Sequence, residues 1–238
     1  MISILIPTLN EEDWIAHSVR AVRASLRSSG VAGEIIVADG DSSDATVERA
    51  DTAGADRIVI SDRRHRARQL NLAAREASGD MLVFLHADTL VRPEWAADIH
   101  SAASDGAVGG WFQIEIIPEL QTFQGNHGLD PMAFGINWRT RLFRTATADQ
   151  SIFVRRDVFE SLGGIPEIPL MDGKALAERL RDAGPIVIGG KHVRISGRRW
   201  ERGGLLRTMC LMFLLRGGFQ LGVDPEFLHT AWRTLTSR

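Results

Sequence analysis

Residues 2–12 read Ile2-Ser3-Ile4-Leu5-Ile6-Pro7-Thr8-Leu9-Asn10-Glu11-Glu12. The continuous apolar run over 2–6 is what a strand buried on both faces requires, and such strands belong to parallel sheets covered by helices. Pro7 ends the run. A dinucleotide fold of the dehydrogenase type would place a glycine fingerprint in the next turn, and no glycine stands there. A phosphate-cradling P-loop is missing as well. The stretch opens an α/β fold whose first turn offers Asn and Glu side chains in place of a glycine cradle.

The pattern continues outward. Asn10 can cap a helix whose apolar positions Ile15, Val19, Val22 and Leu26 repeat at helical spacing. Gly30 and Gly33 mark a turn before a second strand over 34–38, and Asp39-Gly40-Asp41-Ser42-Ser43-Asp44 is a polar loop before a helix reaching about Ala53. Strand signals return at 58–60 and 81–85 around a helical segment over 66–77, and Pro93 opens a further helix. This alternation predicts a mainly parallel central sheet with right-handed crossovers, flanked by helices.

The second half is less regular. Residues 107–117 read as a longer strand in which Gly109-Gly110 permits a bend or bulge, 118–149 as a loop-rich lid or acceptor region, and 151–155 as a short strand. A helix over 174–183 precedes two strands, 186–188 and 192–195, and from Gly203 the chain is apolar and helical. No linker composition interrupts the 238 residues, so one domain with a helical C-terminal extension is expected.

With 44% hydrophobic and 24% charged residues and a net charge of −2, nothing global points to nucleic acid. The basic clusters Arg63-Arg64-His65-Arg66-Ala67-Arg68 and Arg198-Arg199-Trp200-Glu201-Arg202 read as solvated faces or as sites for anionic small molecules. Cys210, the single cysteine, excludes an intramolecular disulfide and a cysteine metal cluster. The first residues lack the basic region of a secretory signal, and the apolar stretch 211–215 is far short of the roughly 20 residues a spanning helix needs, so a cytoplasmic protein is expected. A helix over 205–221, flanked by Arg202, Arg207 and Arg216, reads as a sheet cover or dimer contact, or as a surface lying on an anionic membrane.

In an open parallel sheet, ligands bind beyond the carboxyl ends of the strands. Four polar groups fall there in order: 8–12, 39–44, 63–68, and His86-Ala87-Asp88. Each alone has a plain reading as a cap or turn; their joint placement on one edge points to a site. Carboxylates there suit hydroxyls and bases, arginines suit phosphate, and a strand-end Asp suits a metal ion.

At these residues the chain resembles a family 2 glycosyltransferase of the GT-A fold. The resemblance rests on IPTLNEE, VADGDSSDAT, RARQLN, VFLHADT, DQSIFVRRDVFESLGGIP and RRWERGG, in that order along almost the whole chain. It is closest to a small bacterial group found beside radical-enzyme and selenium-related genes. The resemblance implies a nucleotide-sugar-binding half over 1–117 and an acceptor half over 118–238. It implies that Asp39 faces the base and Glu11 the ribose of a nucleotide-sugar, with UDP a guess from the resemblance and the base itself not identified by the sequence. Asp41 and Arg68 then belong to the donor side. Asp88 takes the place of the second aspartate of a DxD metal motif and His86 that of the first, with Mg²⁺ or Mn²⁺ as the ion. Arg199 and Trp200 resemble the end of a QxxRW motif, with Ser196 in place of its Gln, and Asp149 and Gln150 match a position near the acceptor.

One departure bears on chemistry. An inverting transferase needs a base for the acceptor hydroxyl, which relatives supply from a Glu-Asp pair after Pro-Leu-Met. Here Pro169-Leu170-Met171 is followed by Asp172-Gly173-Lys174, so Gly173 occupies the base position. Either Asp172 takes the role or the base is lost, leaving a nucleotide-sugar-binding protein; Lys174 would lower the basicity of a neighbouring carboxylate. A nucleotidyltransferase, which shares the broad architecture, would want a glycine- and basic-rich first loop. The acceptor, lipid-linked or otherwise, is not specified.

Overall fold

The computed structural model describes residues 1–117, 130–198 and 204–236. Its strands are β1 (Ile2–Thr8), β2 (Gly33–Asp39), β3 (Arg57–Ile60), β4 (Met81–Phe84), β5 (Thr89–Val91), β6 (Gly109–Ile117), β7 (Ile152–Arg155) and β8 (Ile186–Ser196). They form one sheet in the order β3-β2-β1-β4-β7-β6-β8-β5. The pairs β1–β2, β2–β3, β1–β4 and β6–β8 are parallel, whereas β7 runs against both β4 and β6, and β5 against β8. Because β7 reverses alone between β4 and β6, the carboxyl ends of β1, β2, β3, β4, β6 and β8 share one edge. The expected α/β architecture with a mainly parallel sheet is what the chain adopts.

The helices are α1 (Ile15–Ser29), α2 (Thr46–Ala53), α3 (Arg66–Glu76), α4 (Trp95–Ser104), α5 (Asp130–Phe143), α6 (Arg156–Ser161), α7 (Asp172–Ala183), α8 (Leu205–Gln220) and α9 (Pro225–Thr236). Strand alternation sorts the core into two layers. Ile2, Ile4 and Ile6 face one layer with Ile15, Val19 and Val22 of α1 and with Trp95 and Ile99 of α4. Leu5 and Ile36 face the other with Leu70 and Ala73 of α3 and Leu176 and Leu180 of α7. A third cluster joins Met171, just before α7, to Leu211 and Leu215 of α8 and Leu228 of α9. The C-terminal helices thereby brace the start of α7.

Several details differ from expectation. Asn10 does not cap α1, which begins after Trp14; Asn10 takes a left-handed φ of 53° and its side chain accepts from the Ser43 amide at 2.9 Å. Within 118–149, residues 130–143 form α5 rather than a loop, and 118–129 lie outside the described residues. The strands expected over 186–188 and 192–195 are one strand, because Gly189 makes room for Phe112: a Cβ there would lie 2.5 Å from the ring. Irregular pairing of β6 falls between Phe112 and Ile114 and not at Gly109-Gly110. Those two glycines instead allow close strand approach, since a Cβ on Gly110 would lie 2.0 Å from the Val187 carbonyl oxygen. At the irregularity, Asn137 of α5 stands in for a strand neighbour, accepting from the Ile114 amide and donating to its carbonyl, both at 2.9 Å.

Candidate functional site

The first two strand ends are laced into one platform. Asp39 is buried, and its Oδ1 accepts from the Thr8 hydroxyl at 2.7 Å and the Ser42 hydroxyl at 2.6 Å, while Oδ2 accepts from the Ser42 amide at 2.7 Å. Gln69 of α3 donates to the Thr8 and Ala38 carbonyls at 2.7 and 2.8 Å. Across the two loops, the Glu11 amide donates to Thr46 Oγ1 at 2.8 Å and the Asn10 amide to Ser42 Oγ at 2.9 Å. This lacing fixes where Glu11 is presented. Asp41, at a left-handed φ of 67°, is exposed with its carboxylate 3.6 Å from Arg64.

Glu11 and Asp88 converge on one cation. Arg198, just past β8, donates from Nη2 to Glu11 Oε1 at 2.6 Å and lies 3.1 Å from Asp88 Oδ2. The other oxygen of Glu11, Oε2, is buried with no hydrogen-bond partner. Burial pushes the Glu11 carboxyl up, the Arg198 contact offsets part of that, and the Asp88 and Asp44 charges add to the rise. Burial works against the Arg198 charge, but Glu11 and Asp88 outweigh it and hold the guanidinium above its usual range.

A second arginine ties the turn after β4 to α7. Arg66, the first residue of α3, donates from Nε to Asp172 Oδ2 at 3.1 Å and from Nη2 to Asp172 Oδ1. Its Nη1 lies 2.6 Å from His86 Nε2. A guanidinium only donates, so Nε2 accepts and the imidazole proton is assigned to Nδ1. Asp172 opens α7 and is buried, with Met171 before it at a left-handed φ of 67°. The third core cluster holds Met171 in that conformation and so aims Asp172 at Arg66.

The other expected residues scatter. Arg68 sits on the opposite side of α3, its guanidinium 3.8 Å from Asp62 and 3.7 Å from Glu167. Gln150 is fully buried, donating to the Phe112 carbonyl and accepting from the Thr147 amide, so its amide is consumed as a bracket and presents nothing to an acceptor. Asp149 has a buried Oδ1 without a partner and faces the charge of Arg139 on α5, whose Nε and Nη2 are likewise unpartnered. Lys174 is directed away from Asp172: its Nζ contacts Glu178, lies 2.7 Å from Gln220 Oε1 and stands 5.1 Å from the Phe219 ring centre. At Gly173 a Cβ would lie 2.6 Å from the Ala148 Cβ and 2.8 Å from its backbone nitrogen, so a side chain there would need the Ala148 backbone to shift. Arg199 and Trp200 lie outside the described residues.

Arg66, Arg198, Thr8 and Ser42 were not singled out from the sequence. Both arginines belong to the basic clusters noted there. For Arg66 a signal existed, since it shares a helical face with Gln69, Leu70 and Ala73, all buried, whereas Arg68 does not.

Among the described residues no group of three or more His, Cys, Asp or Glu side chains could hold a metal ion. Asp88 nevertheless fits an ion that arrives with phosphate, because Mg²⁺ and similar ions are commonly held by one or two carboxylates plus substrate oxygens. Glu11 Oε1, which shares the Arg198 nitrogen with Asp88, could add a second oxygen ligand. His86 fits less well, its Nε2 lone pair being engaged by Arg66.

Comparison with known proteins shows the family and the fold. The profile of the family described as Glycosyl transferase family 2 matches residues 3–163. A low-salt glycan biosynthesis hexosyltransferase of Haloferax volcanii is 34% identical over 122 residues, which are 49% of this chain and 29% of that protein. A dolichol-phosphate mannosyltransferase of Pyrococcus furiosus is 32% identical over 110 residues, 44% of this chain and 31% of its own. The chain thus spans under a third of either relative. S. aureus TarS 1–349 with UDP-GlcNAc superposes with a TM-score of 0.63 at 15% identity, covering 83% of this chain and 58% of that one. M. tuberculosis glucosyl-3-phosphoglycerate synthase in complex with Mn²⁺, UDP-glucose and glycerol 3-phosphate gives 0.52 at 20% identity, covering 81% and 71%. At such identities these structures speak for the shared fold.

Proposed function

The chain belongs to glycosyl transferase family 2, and from that we propose that it moves a sugar from a nucleoside-diphosphate donor to a hydroxyl acceptor. The observation that carries the reading is the convergence of Glu11, Asp88 and Arg198 at the carboxyl edge of the sheet, with Glu11 Oε2 buried and unpartnered. Asp39 and Glu11 would take the base and ribose, with Asp41 at the exposed rim of that platform. Arg66 lies within reach of the diphosphate, and Arg68 would act from the flank of α3. Asp88 would hold Mg²⁺ or Mn²⁺, with His86 beside it; a hard dication supplies neutralisation of the leaving diphosphate. UDP is the nucleotide we favour, since TarS and the synthase above were solved with UDP-sugars.

We read the displacement as inverting. The acceptor oxygen attacks the anomeric carbon, the bond to the diphosphate oxygen breaks, and a carboxylate takes the hydroxyl proton. Asp172 is our choice for that carboxylate. Each of its oxygens accepts one bond from Arg66, and the remaining lone pairs can take the proton, at a cost because the guanidinium favours the charged carboxylate. Asp149, with its unpartnered oxygen, lies on the acceptor side in this reading, and the 118–238 half supplies that side. The fork at Asp172 and the filled space at Gly173 favour a second reading, a donor-binding protein with little transfer activity.

A cytoplasmic location goes with a nucleotide-sugar donor. Among the described residues no helix is long and apolar enough to cross a membrane. Phe213 and Leu214 on α8 are 80% and 68% exposed, and with the exposed Arg207 nearby they support peripheral contact with an anionic lipid surface and a lipid-linked acceptor.

The test is calorimetric titration of UDP with and without Mn²⁺, repeated on Asp88→Ala, followed by transfer assays with UDP-sugars. Metal-dependent binding lost in the variant is expected. Equal binding in both forms would remove Asp88 from the donor corner.

A further inference from the structure

We infer that Arg198 holds the place of the divalent ion between Glu11 and Asp88, so that metal binding waits on a diphosphate drawing the guanidinium away. The inference rests on the glycosyl-transfer reading and concerns how the same corner is loaded.

A single nitrogen, Nη2 of Arg198, serves both carboxylates, 2.6 Å from Glu11 Oε1 and 3.1 Å from Asp88 Oδ2. A cation shared by two carboxylates from different strand ends occupies the position that a dication shared by them would take. Among the described residues no other lysine or arginine forms an ion pair with either carboxylate. Without Arg198, two half-buried carboxylates would face one another with no cation between them. Such a pair attracts a hard cation strongly.

The guanidinium is free to leave. Its side chain is 30% exposed, and beyond the two carboxylates its own residue is anchored through the main chain, the amide donating to Ser196 Oγ at 3.3 Å. A diphosphate offers it a planar set of anionic oxygens that suits its donor fork. Exchange onto phosphate releases Asp88 and Glu11 Oε1 to the ion, while Glu11 Oε2, which Arg198 does not touch, stays with the ribose. Nucleotide and metal then raise each other's affinity, and that coupling runs through Arg198.

The experiment titrates Mn²⁺ alone into the full chain, read by the electron paramagnetic resonance of the free ion, for wild type, Arg198→Ala and Arg198→Lys. It is then repeated with UDP at saturation. The alanine variant is expected to bind Mn²⁺ alone at least about tenfold more tightly than wild type, the scale on which a neighbouring charge alters a carboxylate. The lysine variant should fall between, and the enhancement by UDP should shrink in step. If Arg198→Ala fails to fold, the lysine variant decides. Unchanged or weaker Mn²⁺ affinity in the variants, with UDP still enhancing it in wild type, overturns the inference and leaves the glycosyl-transfer reading standing. No binding of Mn²⁺ or UDP by wild type and variants overturns both.

Discussion

Arg66 and Asp172, 106 residues apart, meet in a two-pronged fork at the start of α7, and the third nitrogen of the same guanidinium reaches His86. The pair is local structure and candidate chemistry at once. Arg66→Ala leaves a buried carboxylate unpaired and should lower the unfolding free energy by about 2 kcal/mol, less than for a fully enclosed pair because Arg66 is 30% exposed. Urea unfolding reads this directly. Arg66→Lys should recover little of it, since one ammonium cannot replace the fork. If Asp172 is the base, Asp172→Asn should cut kcat on the order of a hundredfold, well beyond Arg66→Lys. Equal losses would make Asp172 a positioning residue for Arg66.

Restoring an aspartate at position 173 should not restore a base. Gly173→Asp and Gly173→Ala both drive a Cβ into Ala148, and each should cost about 2 kcal/mol, as overpacking does. For a chain of this size that is a melting shift of about 4–8 °C. A Gly173→Asp protein as stable as wild type and more active would contradict this packing.

Glu11 should leave a signature in the pH dependence of stability. Burial holds its carboxyl above 4.5 in the fold, so the folded state binds that proton more tightly than the unfolded chain. The sign follows: the stability Glu11 contributes is fully present below 4.5 and is lost as pH rises from there through the raised folded value. Glu11→Gln should remove a negative slope of at most about 1.4 kcal/mol per pH unit across that window. Parallel curves for the two proteins from urea midpoints at a series of pH values would refute it.

Gln150 separates structure from recognition. Gln150→Ala strips partners from the Phe112 carbonyl and Thr140 and should cost about 2–3 kcal/mol, while leaving KM for any acceptor unchanged in the folded fraction. A raised KM with stability intact would place the amide at the acceptor after all.

On α8, Phe213→Ser with Leu214→Ser should leave the melting temperature within about a degree, both side chains being exposed. Co-sedimentation with anionic vesicles should fall several-fold. Vesicle binding indifferent to both substitutions would sink the peripheral-contact reading.

What could be read from the sequence divides on physical lines. Ile2–Ile6 and Met81–Phe84 announce strands because both faces are buried and the run is unbroken apolar. His86 and Asp88 could be found because they follow such a run directly. β8 could not be joined, since Gly189 looks like a break until the Phe112 ring is seen filling its space. α5 carries Phe134, Trp138 and Leu142 outward at helical spacing, so its pattern does not separate a core face from a solvent face. Arg66 and Arg198 needed partners far along the chain, and charge composition says nothing of such pairings. Arg66 shares the buried face of α3 with Gln69, Leu70 and Ala73, a periodicity legible in the sequence that Arg68 lacks.

The shared edge of the strands also sets an order in time. A ribosome delivers Glu11, Asp39 and Asp88 early, and Arg198 only after β6 and β7 have been made to seat the last strand. Until β8 docks, the nascent corner holds those carboxylates without that countercharge. Completion of the corner therefore waits for β8, and a chain halted before that strand carries the three carboxylates while lacking the arginine that joins Glu11 to Asp88.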